Sequence, residues 1–188
     1  MNYKVAGIEE HEELIGLIGK RAQNIFSTHQ LMCAEAVLTC INQGLGGGLP
    51  PEMAVRLASG FAEGLSGSGC LCGALSGGVL ALGLFLGRNG PGFTNRSRIA
   101  NRTRLLHELF NQKYGATCCR MLTKHVKEGS PEHLGQCAGL TGAAAEMAAR
   151  IILEEKPALS LRADLDYLNR HDSRLAGRAK QVANIIHF

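Results

Sequence analysis

The chain contains no tryptophan and few other aromatic residues, with 3 tyrosines and 6 phenylalanines among 188 residues. Glycine is abundant instead: there are 24, and many fall between positions 44 and 92. A core built from Leu, Ala, Ile and Gly favours helices in close backbone contact over sheets of β-branched strands. No segment shows the alternation of polar and apolar residues typical of a strand. We therefore expect an all-α protein with strands absent or trivial.

Several familiar signatures of catalysis and ligand binding are also missing. The sequence has no Walker loop, Rossmann glycine pattern, His-Glu-x-x-His motif or Cys-x-x-Cys pair. A formal net charge of +4 is too mild to indicate nucleic-acid binding. Residues 1–13 contain four glutamates and no apolar signal segment, so we expect a cytoplasmic protein.

The stretch from Cys70 to Gly87 carries no charged residue and reaches the lower edge of transmembrane length. It is isolated and rich in glycine. Gly69, Gly73 and Gly77 form a stripe of small residues that suits close helix packing. We interpret the stretch as the central buried helix of a compact bundle and not as a membrane span.

Other helices are predicted from apolar residues at three-to-four spacing. Ser27, followed by Gln30, has the pattern of a capping box for the second helix, and Thr117 can cap a short helix that starts at Cys118. Besides that short helix, the predicted helices cover about 8–26, 31–42, 52–60, 96–113 and 138–155.

The last segment has a different spacing from the rest. Leu161, Leu165, Leu168, Leu175, Ala179, Val182 and Ile186 follow a heptad pattern that is interrupted by Asp172. We predict a compact domain of residues 1–156 and a C-terminal helical arm of residues 157–188 that starts with Ser160 as N-cap. A seam this long must be buried, which predicts a homodimer, the alternative being an arm that folds back on its own core.

Seven cysteines are dispersed along the predicted helices, so their sulfurs can meet only through folding. Structural disulfides have little use in a reducing cytosol, and an odd count would leave one thiol unpaired. Convergent thiols then serve to hold a metal or cluster, or to perform thiol redox chemistry. Cys118 and Cys119 at a helix start, beside Arg120, are placed where a thiolate is favoured.

The order of these motifs resembles that of a known family. The carriers are Cys33-Ala34-Glu35-Ala36-Val37, Arg56 to Phe61, Cys72-Gly73-Ala74-Leu75-Ser76-Gly77 with Leu82-Gly83-Leu84, Cys119-Arg120-Met121-Leu122, and Cys137. Over roughly residues 15–155 the chain resembles the C_GCAxxG_C_C family, whose name points to redox activity. The resemblance implies that the family cysteines are Cys33, Cys72, Cys119 and Cys137. Cys70, Cys118 and the C-terminal arm depart from the pattern, and Cys118 could replace Cys119.

Four convergent cysteines allow three kinds of chemistry. They can hold an iron–sulfur cluster, hold a zinc ion, or act as metal-free redox thiols in a disulfide relay. Our leading interpretation is an electron-transfer protein that binds a cluster or other metal, exchanges electrons with a partner protein, and uses Gly73 to let the bound group approach. The alternatives are a thiol-disulfide oxidoreductase and an oligomeric binding protein with inert cysteines.

Two histidines and a group of arginines complete the candidate residues. His29 and His133 each precede a family cysteine by four residues and could add nitrogen ligands, although capping or surface roles are commoner. Arginines at positions 88, 96, 98, 102 and 104 could receive an anion, but a solvated face is the more ordinary explanation.

Overall fold

The computed structural model describes residues 3–92 and 96–174, with side chains from residue 10 onward. Every regular element in these ranges is helical, which confirms the predicted fold class. The α-helices are α1 (Tyr3–Ser27), α2 (Cys33–Gly44), α3 (Pro51–Ala58), α4 (Ala62–Leu65), α5 (Gly73–Leu86), α6 (Arg96–Tyr114), α7 (Cys119–Leu122), α8 (Pro131–Glu155) and α9 (Leu165–Leu168). Two 3-10 helices span Ser59–Phe61 and Pro157–Arg162.

Helices α1, α2, α5 and α8 form the core, and α5 packs against α2, α6 and α8. Ala34 and Val37 of α2 face Gly77 so closely that a β-carbon at Gly77 would lie less than 3.0 Å from both residues. Small side chains on α5 and α8 therefore allow the backbones of these two helices and of α2 to approach one another. Among the described helices, none combines the length and the hydropathy that crossing a membrane requires.

The α1–α2 connection differs from the predicted capping box. Helix α1 continues through Ser27 and ends in a Schellman motif, in which His29 N–H donates to Phe26 O and Gln30 N–H donates to Ile25 O. His29 takes the left-handed conformation there, with φ 57°. Helix α2 starts later than predicted, with the Glu35 carboxylate accepting from Met32 N–H. The prediction of Ser27 as the cap of α2 is wrong, because Ser27 lies in the last turn of α1.

The prediction of a continuous heptad helix is wrong over residues 160–172. This stretch contains the end of a 3-10 helix, a break at Ala163 and Asp164, the single turn α9, and extended chain. Leu168 is buried, but Leu161 is 87% and Leu165 52% exposed, so the seam positions do not share one face. The Asp164 side chain caps α9, which ends one helix and starts another within the predicted seam. Seam positions 175, 179, 182 and 186 lie outside the described residues.

Residues 164–172 pack onto the helical core through a nearly buried arginine. Arg21 donates from Nη1 to Asp172 Oδ2 and to the Arg170 carbonyl, both at 3.0 Å, and its guanidinium lies over the Tyr167 ring. Gln30 Nε2 also donates to Asp172 Oδ2, at 3.0 Å. Asp172, which interrupted the heptad pattern, therefore links this segment to the α1–α2 connection.

Candidate functional site

A cavity of about 390 Å³ contains all four predicted cysteines in its wall. Cys33, Cys72, Cys119 and Cys137 line it, as does Gly73. The other cysteines, all among the described residues, lie elsewhere: Cys70 is exposed, Cys118 is half-buried outside the lining, and Cys40 is buried with its thiol donating to Ile18 O. The geometry brings Cys119, and not Cys118, to the other three.

Three of the four cysteines reach the cavity from helix starts. Cys33 is the first residue of α2, Cys72 is the N-cap of α5, and Cys119 is the first residue of α7. Cys137 differs, because it lies inside α8, nearly two turns after its start. The four cysteines therefore come from four separate helices, which explains why no local sequence spacing joins them.

Gly73 allows the Cys33 and Cys72 segments to touch. A β-carbon at Gly73 would lie less than 3.0 Å from Cys33 Sγ and 2.7 Å from the Phe61 carbonyl oxygen. Any larger residue would have to displace the thiol and the backbone beside it. The close approach that the sequence suggested for this glycine is therefore made by a cysteine of the same chain.

The segment named α4 is a left-handed turn and not a regular α-helix, and its Glu63 lines the cavity. Glu63, Gly64, Leu65 and Ser66 all have positive φ, between 53° and 69°. Left-handed geometry costs roughly 1–2 kcal/mol for each residue other than glycine. A β-carbon at Gly64 would lie less than 3.0 Å from Cys70 O and Cys119 Cβ. This strained turn lies directly against the site.

Two backbone hydrogen bonds join the chain segments of Cys72 and Cys119. Cys72 N–H donates to Thr117 O at 2.7 Å, and Arg120 N–H donates to Gly69 O at 3.1 Å. The Arg120 guanidinium adds a bond to the Ser68 carbonyl at 2.8 Å. Thr117 thus acts through its carbonyl, and its predicted role as N-cap of α7 is wrong because Cys118 occupies that position.

Burial dominates the protonation of the four thiols. It raises the pKa of Cys72 and of Cys137 to about 12, and it raises the pKa values of Cys33 and Cys119 as well. Repulsion between the cysteines acts in the same direction; at Cys137 the largest such effect comes from Cys119. The prediction of a favoured thiolate at Cys119 is therefore wrong, because desolvation and the nearby charges of Cys33, Glu63 and Glu128 raise the pKa of this thiol.

Backbone amides oppose this effect at two of the four sulfurs. The N–H groups of Glu63 and Ala34 favour the charged form of Cys33, and those of Leu75 and Ala74 favour the charged form of Cys72, so both act to lower the pKa. Helix starts supply the unpaired amides of Ala34, Ala74 and Leu75, and the left-handed turn supplies that of Glu63. Cys137, inside a continuous helix, has the His133 ring at 3.7 Å between Nε2 and Sγ instead.

The sequence predicts only some of the charged and polar side chains that line the cavity. His29 and His133 both line it, as the spacing to Cys33 and Cys137 suggested. Glu63, Glu128 and Lys124 also line it, and no sequence signal distinguished them from ordinary surface residues. Arg98 and Arg102, by contrast, both pair with Glu155, which supports the solvated-face interpretation for them.

Comparison with known proteins gives one result. The family model described as "Putative redox-active protein (C_GCAxxG_C_C)" matches residues 31–151. No curated protein and no solved structure matches the chain. The matched residues include all four cysteines of the cavity wall and cover more than half of the chain. The chain therefore belongs to the C_GCAxxG_C_C family of redox-active proteins.

Proposed function

We propose that this chain is an electron-transfer protein in which Cys33, Cys72, Cys119 and Cys137 hold an iron–sulfur cluster. One observation carries the proposal: the wall of a single cavity contains these four cysteines and none of the other three. If the cysteines were buried only as small apolar side chains, there would be no reason for these four, and none of the other three, to line one cavity.

The donor set and the size of the cavity support a cluster as the bound group. Four thiolates are the usual ligands of an iron–sulfur cluster, and four cysteines line a cavity of about 390 Å³. Among residues 3–92 and 96–174, no three Cys, His, Asp or Glu side chains are already grouped as ligands of a metal ion. A structural zinc ion can also take four cysteines, and metal analysis distinguishes the two.

The protein's own groups would prepare the sulfurs for such a ligand. Buried neutral thiols must lose their protons on ligation, so binding is favoured as the pH rises. The amides beside Cys33 and Cys72 then stabilise negative charge on the ligand sulfurs. When bound, a cluster of this kind supplies a one-electron couple. The four cysteines would be its ligands, and no nitrogen ligand is required.

The side on which a redox partner docks is indicated by exposure. Cys72 is only 5% exposed, whereas Cys119 is half-buried beside Met121, which is 51% exposed. The surface around α7 therefore offers an exposed route to the centre. We assign the electron exchange with a partner protein to this face.

A second candidate function is supported by the partial exposure of two of the four cysteines. Cys119 and Cys137 are both partly exposed and free. In a metal-free protein these two thiols could reduce a low-molecular-weight disulfide, forming one disulfide between them and releasing two thiols. The raised pKa values of both cysteines would make this exchange slow at neutral pH, because the thiolate is the nucleophile.

A homodimer remains a prediction. The seam that suggested it is broken over residues 160–172, so the prediction now depends on Leu161 and Leu165, which are exposed, and on positions outside the described residues. Light-scattering chromatography of the full chain and of Leu161→Glu tests it. If the full chain is a dimer and the variant is a monomer, Leu161 lies in the dimer contact. If the mass of the variant equals that of the full chain, Leu161 is not part of a dimer contact.

The cluster proposal is tested by anaerobic purification, followed by a visible spectrum and analysis of iron, zinc and acid-labile sulfide. We expect a coloured protein with iron and sulfide in equal amounts. A colourless protein that also fails to take up iron and sulfide on reconstitution would overturn the proposal. Titration of thiols before and after a mild oxidant would then show whether Cys119 and Cys137 form a disulfide.

A further inference from the structure

Two reciprocal hydrogen bonds cap the first turn of α8. Ser130 is the N-cap residue, and its hydroxyl accepts from the His133 backbone N–H at 3.2 Å. In the opposite direction, the Gly129 backbone N–H donates to His133 Nδ1 at 3.3 Å. This arrangement resembles a capping box, with histidine instead of glutamate or glutamine at the third helical position.

The cap determines which nitrogen of His133 carries the proton. A neutral imidazole has one N–H, and a ring nitrogen that accepts a hydrogen bond does not carry it. Because Nδ1 accepts from Gly129, the proton of the neutral ring is on Nε2. That nitrogen lies 3.7 Å from Cys137 Sγ, one turn further along the helix. The Nε2–H group of that tautomer therefore lies within hydrogen-bond reach of the sulfur.

Within the described part of the chain, Cys137 has no backbone donor of the kind that serves Cys33 and Cys72. It lies within the 25-residue helix α8, where backbone amides bond to carbonyls one turn earlier. The hydroxyl of Thr141 bonds to the Cys137 carbonyl, at 2.8 Å, and not to its sulfur. The His133 ring therefore takes the place that helix-start amides have at Cys33 and Cys72.

We propose that His133 is a positioning residue of the four-cysteine centre, which donates an Nε2–H hydrogen bond to the Cys137 sulfur and does not itself ligate a metal. The redox role of Cys137 rests on the proposed function, whereas the hydrogen bond forms whether or not a cluster is bound. The donor stabilises negative charge on that sulfur, and the helix cap keeps the donor in place. As long as Gly129 holds Nδ1, the Nε2 lone pair is not available to a metal or to the Cys137 proton.

The tautomer can be measured directly in the reduced, metal-free protein by long-range ¹H–¹⁵N correlation spectroscopy of its histidines. We assign the His133 signals with His133→Gln and use His125→Gln, at an exposed position outside the cavity, as the control. The proposal requires the Nε2–H tautomer at His133 in the neutral ring. An Nδ1–H tautomer overturns it.

The effect on sulfur is measured by the alkylation rate of Cys137, relative to that of Cys119 in the same metal-free sample, at one fixed pH. His133→Leu removes the donor and should slow Cys137 by about fivefold, the factor for one lost hydrogen bond. His133→Gln places an amide N–H near the former Nε2 position and should retain most of the rate. Equal rates in all three proteins, or equal loss in both variants with native circular dichroism, would contradict a donor role.

These results are separable from those on the cluster. Suppose that the protein is colourless, that His133 has the Nε2–H tautomer, and that Cys137 is alkylated more slowly in His133→Leu. These results would reject the cluster and support the donor role of His133. A coloured protein in which ¹⁵N-labelled histidine couples strongly to the iron spins would keep the cluster and reject the donor role. Both readouts are made on the full chain.

Discussion

The two halves of the four-cysteine cavity are built differently. Cys33 and Cys72 come from the starts of α2 and α5, touch through Gly73, and have backbone amides beside their sulfurs. Cys119 and Cys137 come from the single turn α7 and from within α8, and His133 is the side-chain donor there. We call these the braced half and the open half. The comparison indicates that the first half is fixed by packing at Gly73 and by backbone amides, whereas the second half depends on a side-chain donor.

The braced half is also tied to the distant C-terminal segment. Asp172 accepts hydrogen bonds from Arg21 and from Gln30, and Gln30 lies in the connection that leads into Cys33. The hydrogen bonds that Asp172 makes to Arg21, Asn24 and Gln30 all lie on the α1 side of the protein, at α1 and the α1–α2 connection. The open half should therefore respond less to changes at residue 172 than the braced half does.

The largest effect is expected from Asp172→Ala. The change leaves the Arg21 guanidinium, 4% exposed, without its carboxylate and should destabilise the protein by about 3 kcal/mol. Cys33 should become more reactive to alkylation, with a smaller change at Cys119. Urea unfolding and mass spectrometry measure the two effects. The control is Glu12→Ala, which breaks an exposed pair with Arg150 and should leave stability nearly unchanged. Equal reactivity gains at Cys33 and Cys119 would break the distinction between the halves.

The next largest effect should come from Gly73→Ala. Its β-carbon would collide with Cys33 Sγ and the Phe61 carbonyl, at a cost of about 2 kcal/mol from overpacking. Gly83→Ala in the same helix is a matched control, since nothing lies within 4 Å of its β-carbon position. It should stabilise the helix by about 0.5–1 kcal/mol. Denaturant midpoints that fall equally in both variants would show that the Gly73 contact is not tight.

A smaller difference should separate the thiols of the metal-free protein. Cys72 is 5% exposed and Cys119 is half-buried, and the pKa of Cys72 is raised to about 12. We expect Cys119 to be alkylated about tenfold faster than Cys72 at pH 8, because less of the buried thiol is ionised and accessible. Isotope-coded alkylation with mass spectrometry gives both rates in one sample. A faster Cys72 would reverse the assignment of the halves.

The smallest expected effect is a pH dependence of stability in the metal-free protein. Burial raises the pKa values of Cys40, Cys72 and Cys137 from an ordinary value of 9.0 to about 12, so these thiols ionise more readily in the unfolded chain. Stability is therefore retained below pH 9 and is lost as the pH rises toward 12. Between pH 7 and pH 9 the loss should be about 1 kcal/mol. Urea titrations at each pH measure it, and Cys40→Ala should remove about a third of the effect.

The helices were largely predictable, and the reason is their apolar spacing. Helix α6 starts at Arg96 as predicted, and the stretch 138–155 is helical within α8. The segment 160–172 was not predictable in the same way. Leu161 and Leu165 have heptad spacing but are exposed, because α9 starts at an Asp164 cap and Asp172 bonds to Arg21. Spacing cannot show a cap or a distant ion pair that interrupts it.

The candidate site was predictable in its residues but not in its chemistry. The family resemblance selected Cys33, Cys72, Cys119 and Cys137, and these four line one cavity. Sequence alone could not separate Cys118 from Cys119, since that turn is oriented by tertiary hydrogen bonds, among them those of residues 68–72 with 117–120. Sequence also could not predict the protonation of Cys119, because desolvation depends on tertiary packing, such as that of α4 against α7.

The most direct test of the four-cysteine centre is cysteine footprinting of the anaerobically purified protein before and after removal of metal by a chelator. Alkylated positions are read by mass spectrometry. The proposed centre predicts that Cys33, Cys72, Cys119 and Cys137 gain reactivity together when metal is removed, while Cys70 and Cys118 do not change. Protection of Cys118 in place of Cys119, or identical footprints of a metal-containing sample before and after chelation, would contradict the central claim.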